Sequence, residues 1–338
     1  MAFVHAVEPG DLEQKSIMLC ESIRKFTGPY SHSKIYAVSP RKGKRVSEKT
    51  EEYYKELNVE YVYKDLNKAW YEYPFVNTAY AAQYVESLYT DKPLTIVLCD
   101  TDTVFLNSPN QLDLSNDKEI VALTPLDTLS SEIAQNENEP LSPYWTQIFS
   151  IVGVKTTNLW KVKSIIENQE VIAYFNNGLV ASKSTSKIFR EVVESMERAS
   201  KLDFFNKLQN GSLERFFLDQ AFLAAVIQKI GQSKVKLLDS NYNFPFNLIS
   251  NARSIVLDNL VHIHYHNSFY FKTSLKYFHK RSEYYDFFSK RIPFKLKGLP
   301  LIIIAIKSHI PQKLRNKLRG TWIINYVFIL SRKIGLEF

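Results

Sequence analysis

Cysteine, glycine and proline are scarce in this chain, and it has no long apolar run. Two cysteines among 338 residues cannot build a disulfide framework. Cys20 falls in a helical pattern and Cys99 in an apolar strand pattern, which predicts reduced core thiols in a reducing, cytoplasmic compartment. With 10 Gly and 13 Pro, collagen-like and mucin-like chains are excluded. No stretch approaches the ~20 apolar residues of a membrane span. The longest candidates, residues 299–306 and 321–330, are too short. The first ten residues carry neither a basic n-region nor an apolar h-segment, so no secretory signal is expected.

What is present is ordinary for a folded protein. Apolar residues make up 45% and charged residues 23%, which argues against disorder as the main state. The length allows two domains, or one large α/β domain with an appendage. The 22 Phe, 20 Tyr and 4 Trp suit a large core. The net charge of +8 is unevenly placed. Residues 272–338 hold 15 basic residues against Glu283, Asp286 and Glu337, a balance of +12 that leaves the preceding residues at −4. Aromatics interleave with these charges. Such a stretch suits an anionic membrane surface, by charge contact and shallow insertion. It equally suits a basic helix packed on the domain by its apolar face. No nucleic-acid motif accompanies it, which argues against that partner.

Strand and helix patterns alternate along the chain. Residues 3–7, 34–38, 59–63 and 94–99 read as strands, and 11–26 and 77–89 as helices, with Asp11 as the first helix cap. The run LTIVLC at 94–99 has the pattern of a strand buried on both faces. Residues 155–170, 184–202 and 212–230 look helical, 174–181, 235–238 and 260–265 look like strands, and 132–142 reads as a loop. This order predicts βαβ units around a mostly parallel, Rossmann-like sheet flanked by helices. A single catalytic domain over 1–271 and a basic, aromatic-rich extension over 272–338 follow from the absence of any Gly/Ser linker. Doubly wound sheets bind ligands beyond the carboxyl ends of their strands, which singles out Ala6, Val7 and Glu8 and then Asp100 to Asp102.

The Asp100-Thr101-Asp102 triplet is the sharpest feature. Two carboxylates two apart in extended chain share a side, and such a pair repels itself unless a cation sits between them. Hard oxygen donors suit Mn²⁺ or Mg²⁺ shared with substrate phosphates. A bare D-x-D is more often a solvated turn of acids; its place after a buried strand, with Phe105 and Pro109 following, favours metal. His262, His264 and His266 alternate along a late strand, and one of them could complete the coordination. Lys272 follows and could neutralise a phosphate. Asn176, Asn177 and Gly178 interrupt an apolar strand, where Gly suggests close approach of a backbone or ligand. Asp219 and Gln220 sit in an apolar helix and must be hydrogen-bonded or face a cavity. Pro143, Tyr144 and Trp145 offer either a sugar-stacking platform or ordinary packing.

In combination and order, these motifs resemble the metal-dependent nucleotide-sugar glycosyltransferases of the GT-A fold: D-x-D, an F-N-x-G strand, a D-Q helix, then a late histidine near a lysine. The pattern is most similar to the retaining glycogenin-like and lipopolysaccharide-galactosyltransferase-like group. The resemblance spans roughly residues 3–272. It implies base and ribose contacts from Ala6, Val7 and Glu8, metal and ribose contacts from Asp100, and a metal ligand at Asp102. It implies sugar contacts from Asp127, from Asn176 or Asn177 and from Asp219, with Gln220 near the anomeric carbon. His264 or His266 would be the third ligand, and Lys272 would assist the diphosphate. Three positions depart from the pattern: Glu8-Pro9-Gly10 stands where aspartates are usual, residues 77–89 hold no arginine, and Asn267 replaces a glycine. The implied activity is transfer of a sugar from a nucleoside-diphosphate sugar, with UDP foremost, to a glycan, lipid or protein. Rival expectations are a metal-dependent nucleotidyltransferase and a non-catalytic sugar- or membrane-binding protein on the same fold.

Overall fold

The segment AFVHA at residues 2–6 is buried along its whole length, as a strand covered on both faces must be. In the computed structural model, which describes residues 1–128, 131, 141–157, 159–208, 212–249 and 257–294, it lies inside a seven-stranded sheet. In chain order the strands are β1 (Ala2–Ala6), β2 (Lys34–Ser39), β3 (Val59–Tyr63), β4 (Thr95–Cys99), β5 (Thr103–Phe105) and β6 (Val121–Thr124). They continue with β7 (Lys161–Lys163), β8 (Glu170–Ile172), β9 (Asn176–Lys183), β10 (Val235–Leu237), β11 (Phe244–Pro245) and β12 (His262–His264). The helices are α1 (Asp11–Phe26), α2 (Glu48–Glu56), α3 (Asn77–Ser87), α4 (Pro143–Val152), α5 (Ile188–Ala199), α6 (Asp203–Asn206), α7 (Leu213–Phe216), α8 (Leu218–Ile230) and α9 (Ser282–Ser289).

The large sheet runs β10-β6-β9-β4-β1-β2-β3. Its pairs are parallel except that β9 runs antiparallel to both β4 and β6. The period of two decides which side each residue covers. Ala2, Val4, Ala6, Ile96 and Leu98 join the core under α3, α4, α5 and α8. Phe3, Val7, Val97 and Cys99 join the core under α1 and α2. Both cysteines are buried free thiols, as the composition predicts.

A small sheet, β11-β12-β5, stands beside the large one. β5 continues from the loop after β4, and its antiparallel pairing with β12 sets Thr103 opposite His264. Behind β12 lies an aromatic core in which Phe246, Phe269, Phe278 and Phe288 pack against Met18 and Phe26 of α1. Residues 272–294 contribute to that core through Leu275, Tyr284, Phe287 and Phe294, among others. The first part of the basic stretch is thus packed by an apolar face; residues 295–338, with both apolar runs, lie outside the described residues.

Several local expectations differ from the structure. The described residues of 155–170 form no helix: Val162 and Val171 face each other across the β7–β8 hairpin and both are buried, a period-two solution to the same apolar positions. The helix expected over 212–230 breaks at Phe217, whose backbone leaves the helical range. Asp11 is the first residue of α1 rather than its cap. Gly10 holds the cap position, its N–H donating to Glu13 Oε2 (3.1 Å). Tyr144 and Trp145 are buried in the core and offer no stacking platform, because α4 turns its apolar face inward. Of the expected 132–142 loop, residues 132–140 lie outside the described residues.

Candidate functional site

One cleft opens at the carboxyl ends of β1 and β4. Ala6, Val7 and Glu8 line one side, Asp100 and Asp102 the floor, and Asn176, Asn177, Asp219 and Gln220 the opposite side. His264 at the end of β12 and His266 just beyond that strand line it as well. Residues more than 250 positions apart in the chain therefore share one cleft.

The Asp100–Asp102 loop is fixed from three directions. Asp100 N–H donates to Gly178 O (3.0 Å), Thr101 Oγ1 to Ala6 O (3.0 Å), and Tyr265 N–H to Asp102 O (3.0 Å). Thr103 Oγ1 adds a bond to Asp100 O (2.6 Å) inside the loop. With its backbone bonds spent this way, the loop presents both carboxylates to the cleft. His264 Nε2–H donates to Asp102 Oδ1 at 3.0 Å and lies 3.9 Å from Asp100 Oδ2. His266 Nδ1 is 3.8 Å from Asp102 Oδ2. His266 holds φ 47°, a left-handed conformation costly for a side-chain-bearing residue, and its ring lies 3.9 Å from that of His264.

Electrostatics follow from this crowding. Burial pushes the Asp100 carboxyl up to about 6; His264 opposes the rise and Asp102 adds to it. Burial also presses Asp102 upward, but the His264 charge and hydrogen bond win and hold it below the ordinary range. Burial disfavours a charged His264, yet Asp102 wins and raises it. Asp219 is pushed up to about 7 by burial and by the charge of Asp100.

The donor set fits a divalent cation. Asp102, His264 and His266 each offer one ligand atom, all within 4.8 Å of one another. Mixed carboxylate and imidazole donors suit Mn²⁺ better than a purely hard ion. His262 does not join them: it is fully buried against Phe105, with both ring nitrogens unpartnered among the described residues.

Gly178 explains how the histidine comes so close. A Cβ there would lie 2.7 Å from His264 Nδ1, 2.7 Å from Asn243 Oδ1 and 2.9 Å from Asn176 Oδ1. The close approach expected of this glycine is to the imidazole and two amides. Asn176 Oδ1 accepts from Gly178 N–H (2.9 Å) and Asn243 Nδ2 (2.8 Å). Asn177 N–H donates to Gln220 Oε1 (3.0 Å), and Asn177 Nδ2 donates to Asp219 Oδ2. Gln220 Nε2 donates to Tyr174 Oη (3.0 Å), so its amide is tied at both ends. Asp127 lies near Tyr174, whose hydroxyl feels its charge, and does not line the cleft. Lys272 is exposed at the start of the turn Lys272–Tyr277 and does not line it either.

Residues 3–231 match the Rhodobacterales glycosyltransferase domain family. The chain belongs to this family. The matched span of this glycosyltransferase runs from β1 to the end of α8 and holds both acids of the D-x-D and the Asp219–Gln220 pair. No curated protein sequence matches it. Among solved structures it resembles the galactosyltransferase LgtC in complex with donor and acceptor sugar analogs, at 14% identity and TM-score 0.53 over 94% of this chain and 100% of LgtC. It also resembles the bifunctional glycosyltransferase WbbM in its apo form, at 14% identity and TM-score 0.50 over 91% of this chain and 51% of WbbM. These likenesses give the fold, GT-A, in agreement with the sequence motifs.

Glu8 and the cleft's remaining walls hold residues the motifs did not signal. Arg41 donates to both carboxylate oxygens of Glu8, and Asn77 Nδ2 donates to Glu8 Oε1 (3.0 Å). Phe75, Phe216 and Phe217 form an aromatic side, with Phe75 and Phe216 4.6 Å apart. Lys15 lines the floor from α1. Its one signal in the sequence was the i,i+4 spacing from Asp11.

Proposed function

We propose that this glycosyltransferase is a metal-dependent hexosyltransferase. It moves a sugar from a nucleoside-diphosphate sugar, foremost a UDP-sugar, to a hydroxyl of a glycan, lipid or protein, with retention of anomeric configuration. The observation that carries the proposal is the meeting of Asp100, Asp102, His264 and His266 in the cleft whose opposite side holds Asp219 and Gln220.

Asp100, Asp102 and His264, with His266 beside them, would hold Mn²⁺ or Mg²⁺. A bound divalent ion supplies Lewis acidity to a departing diphosphate. Ala6, Val7 and Glu8 take the base and ribose at the β1 end. Asp219 accepts from donor-sugar hydroxyls, and Asn177 fixes its carboxylate. Gln220 lies beside the reacting carbon with its amide held by Asn177 and Tyr174. An amide is too weak a nucleophile for a covalent intermediate, which supports retention by departure and attack on one face. Inversion would instead need a carboxylate as general base; of the two the sequence offered, Asp219 lines the cleft and Asp127 does not.

The basic stretch over 272–338 supports docking on an anionic membrane surface, where a lipid or glycan acceptor would be found.

A panel of nucleotide sugars incubated with and without Mn²⁺ tests the proposal. Release of nucleoside diphosphate only with metal is expected. Release of pyrophosphate would favour a nucleotidyltransferase, and no turnover with any donor would favour a binding protein. The anomeric configuration of the product, read by NMR, decides retention.

A further inference from the structure

The cleft is short of positive charge. Glu8, Asp100, Asp102 and Asp219 line it, and among the described residues Lys15 is the only lysine or arginine that does. A nucleoside-diphosphate donor brings further negative charge, which grows as the diphosphate departs. Lys272 is exposed outside the cleft, and Arg41 donates to Glu8 and, through Nη1, to Tyr71 O (2.6 Å).

Lys15 sits one turn into α1, 3% exposed. Burial works against its charge, but Asp11, Asp102 and Tyr270 keep the ammonium protonated. Nζ lies 3.0 Å from Asp11 Oδ2 and 5.4 Å from the Tyr270 ring centroid. That carboxylate is shared: Oδ2 also accepts from the Tyr270 hydroxyl, and Oδ1 from Gln14 Nε2 (2.8 Å). An ammonium has three donors, and among the described residues Asp11 is its one ion-pair partner. The Tyr270 hydroxyl takes a second donor, which leaves one for a ligand in the cleft beside Asp102.

We propose that Lys15 is the phosphate-binding cation of this cleft, donating to the diphosphate of the donor and of the departing nucleoside diphosphate. The role rests on the nucleotide-sugar reading above and falls to α1 instead of the late lysine at 272. The competing role is a clamp, in which Lys15 and Asp11 merely fasten Tyr270 and the aromatic core to α1.

The test measures Mn²⁺-supported binding of pyrophosphate, UDP and uridine to the full chain, as the shift of each variant's own melting midpoint and by calorimetry. Lys15→Met should weaken pyrophosphate and UDP at least tenfold, leave uridine within about twofold, and flatten the salt dependence of UDP binding. Lys15→Arg should restore most of the loss. Tyr270→Phe, which loosens the clamp but keeps the cation, should hold UDP within about threefold of wild type. Lys15→Met binding pyrophosphate like wild type overturns the proposal, as does an equal loss in Tyr270→Phe. A chain that cannot fold without this charge assigns Lys15 to the clamp and also overturns it. If pyrophosphate binds through Lys15 but UDP binds no better than pyrophosphate, the phosphate role stands and the nucleotide reading falls. Binding of neither removes both.

Discussion

Asp102 Oδ1 and His264 Nε2 lie 3.0 Å apart although 162 positions separate them in the chain. The contact exists because β5 and β12 pair with Thr103 opposite His264, which carries the imidazole over the acids that end β4. It joins the large sheet's ligand end to the small sheet. The whole site depends on that registration, and the predictions that follow probe it piece by piece.

Gly178 is the spacer that admits the imidazole. A Cβ at 2.7 Å from His264 Nδ1 and Asn243 Oδ1 is closer than side chains tolerate, so Gly178→Ala must displace one of them. Overpacking of this kind costs ~1–3 kcal/mol. The variant should fold with a lowered melting midpoint and lose at least tenfold in Mn²⁺-dependent turnover. Unchanged activity would show that His264 has no fixed place in the chemistry.

Asp219 supplies a pH signature. With its carboxyl pushed up to about 7, chiefly by burial, the sugar-accepting ionised form grows in as pH rises through neutrality. Turnover at low donor concentration should therefore climb between about pH 6 and 8. Asp219→Asn should remove that limb and lower turnover ~10²-fold, with UDP affinity little changed. A wild-type limb that persists in the variant would assign it to another group.

Glu86 supplies a separate signature in stability. It is buried on α3, where its carboxylate accepts from the N–H groups of Phe189 (3.2 Å) and Arg190 (2.8 Å) and so caps α5. Burial pushes its carboxyl up to about 7 despite those bonds. The fold therefore holds a proton that the unfolded chain releases near its ordinary value. Stability from this group is full below about pH 4.5, falls as pH rises to 7, and is level beyond, a loss of up to ~3 kcal/mol. Glu86→Gln keeps an acceptor for α5 and should flatten that slope in melts taken from pH 5 to 8. A parallel slope in the variant would acquit Glu86.

The extension is tested by cutting after Phe294, because residues 272–294 belong to the aromatic core. Truncation there should spare nucleotide binding and lower binding to phosphatidylserine vesicles at least fivefold at low salt. Equal vesicle binding by both chains would remove the membrane role.

Much of this was legible in the sequence because burial writes a period. LTIVLC has the pattern of a covered strand, and its place put the acids directly after it under suspicion as groups at the ligand end of a sheet. Asn176, Asp219 and Gln220 stood out as polar groups inside apolar runs, and all three line the cleft. Short segments were less legible. The β7–β8 hairpin was read as a helix because a few valines among lysines fit either period. Lys15 looked like any helix-surface lysine; the structure buries it, with its ammonium 5.4 Å from the ring of Tyr270, far along the chain. Lys272 sat at a plausible distance in sequence, but the turn that holds it leaves its side chain exposed.

The most direct measurement is Mn²⁺ titration of wild type and Asp102→Ala, followed by manganese paramagnetic resonance and by release of UDP from a UDP-sugar. Wild type should bind one ion per chain and turn over only when it is bound. Asp102→Ala should keep its fold, bind the ion at least tenfold more weakly and release no UDP. Full activity or unaltered manganese affinity in Asp102→Ala would contradict a metal centre at these residues.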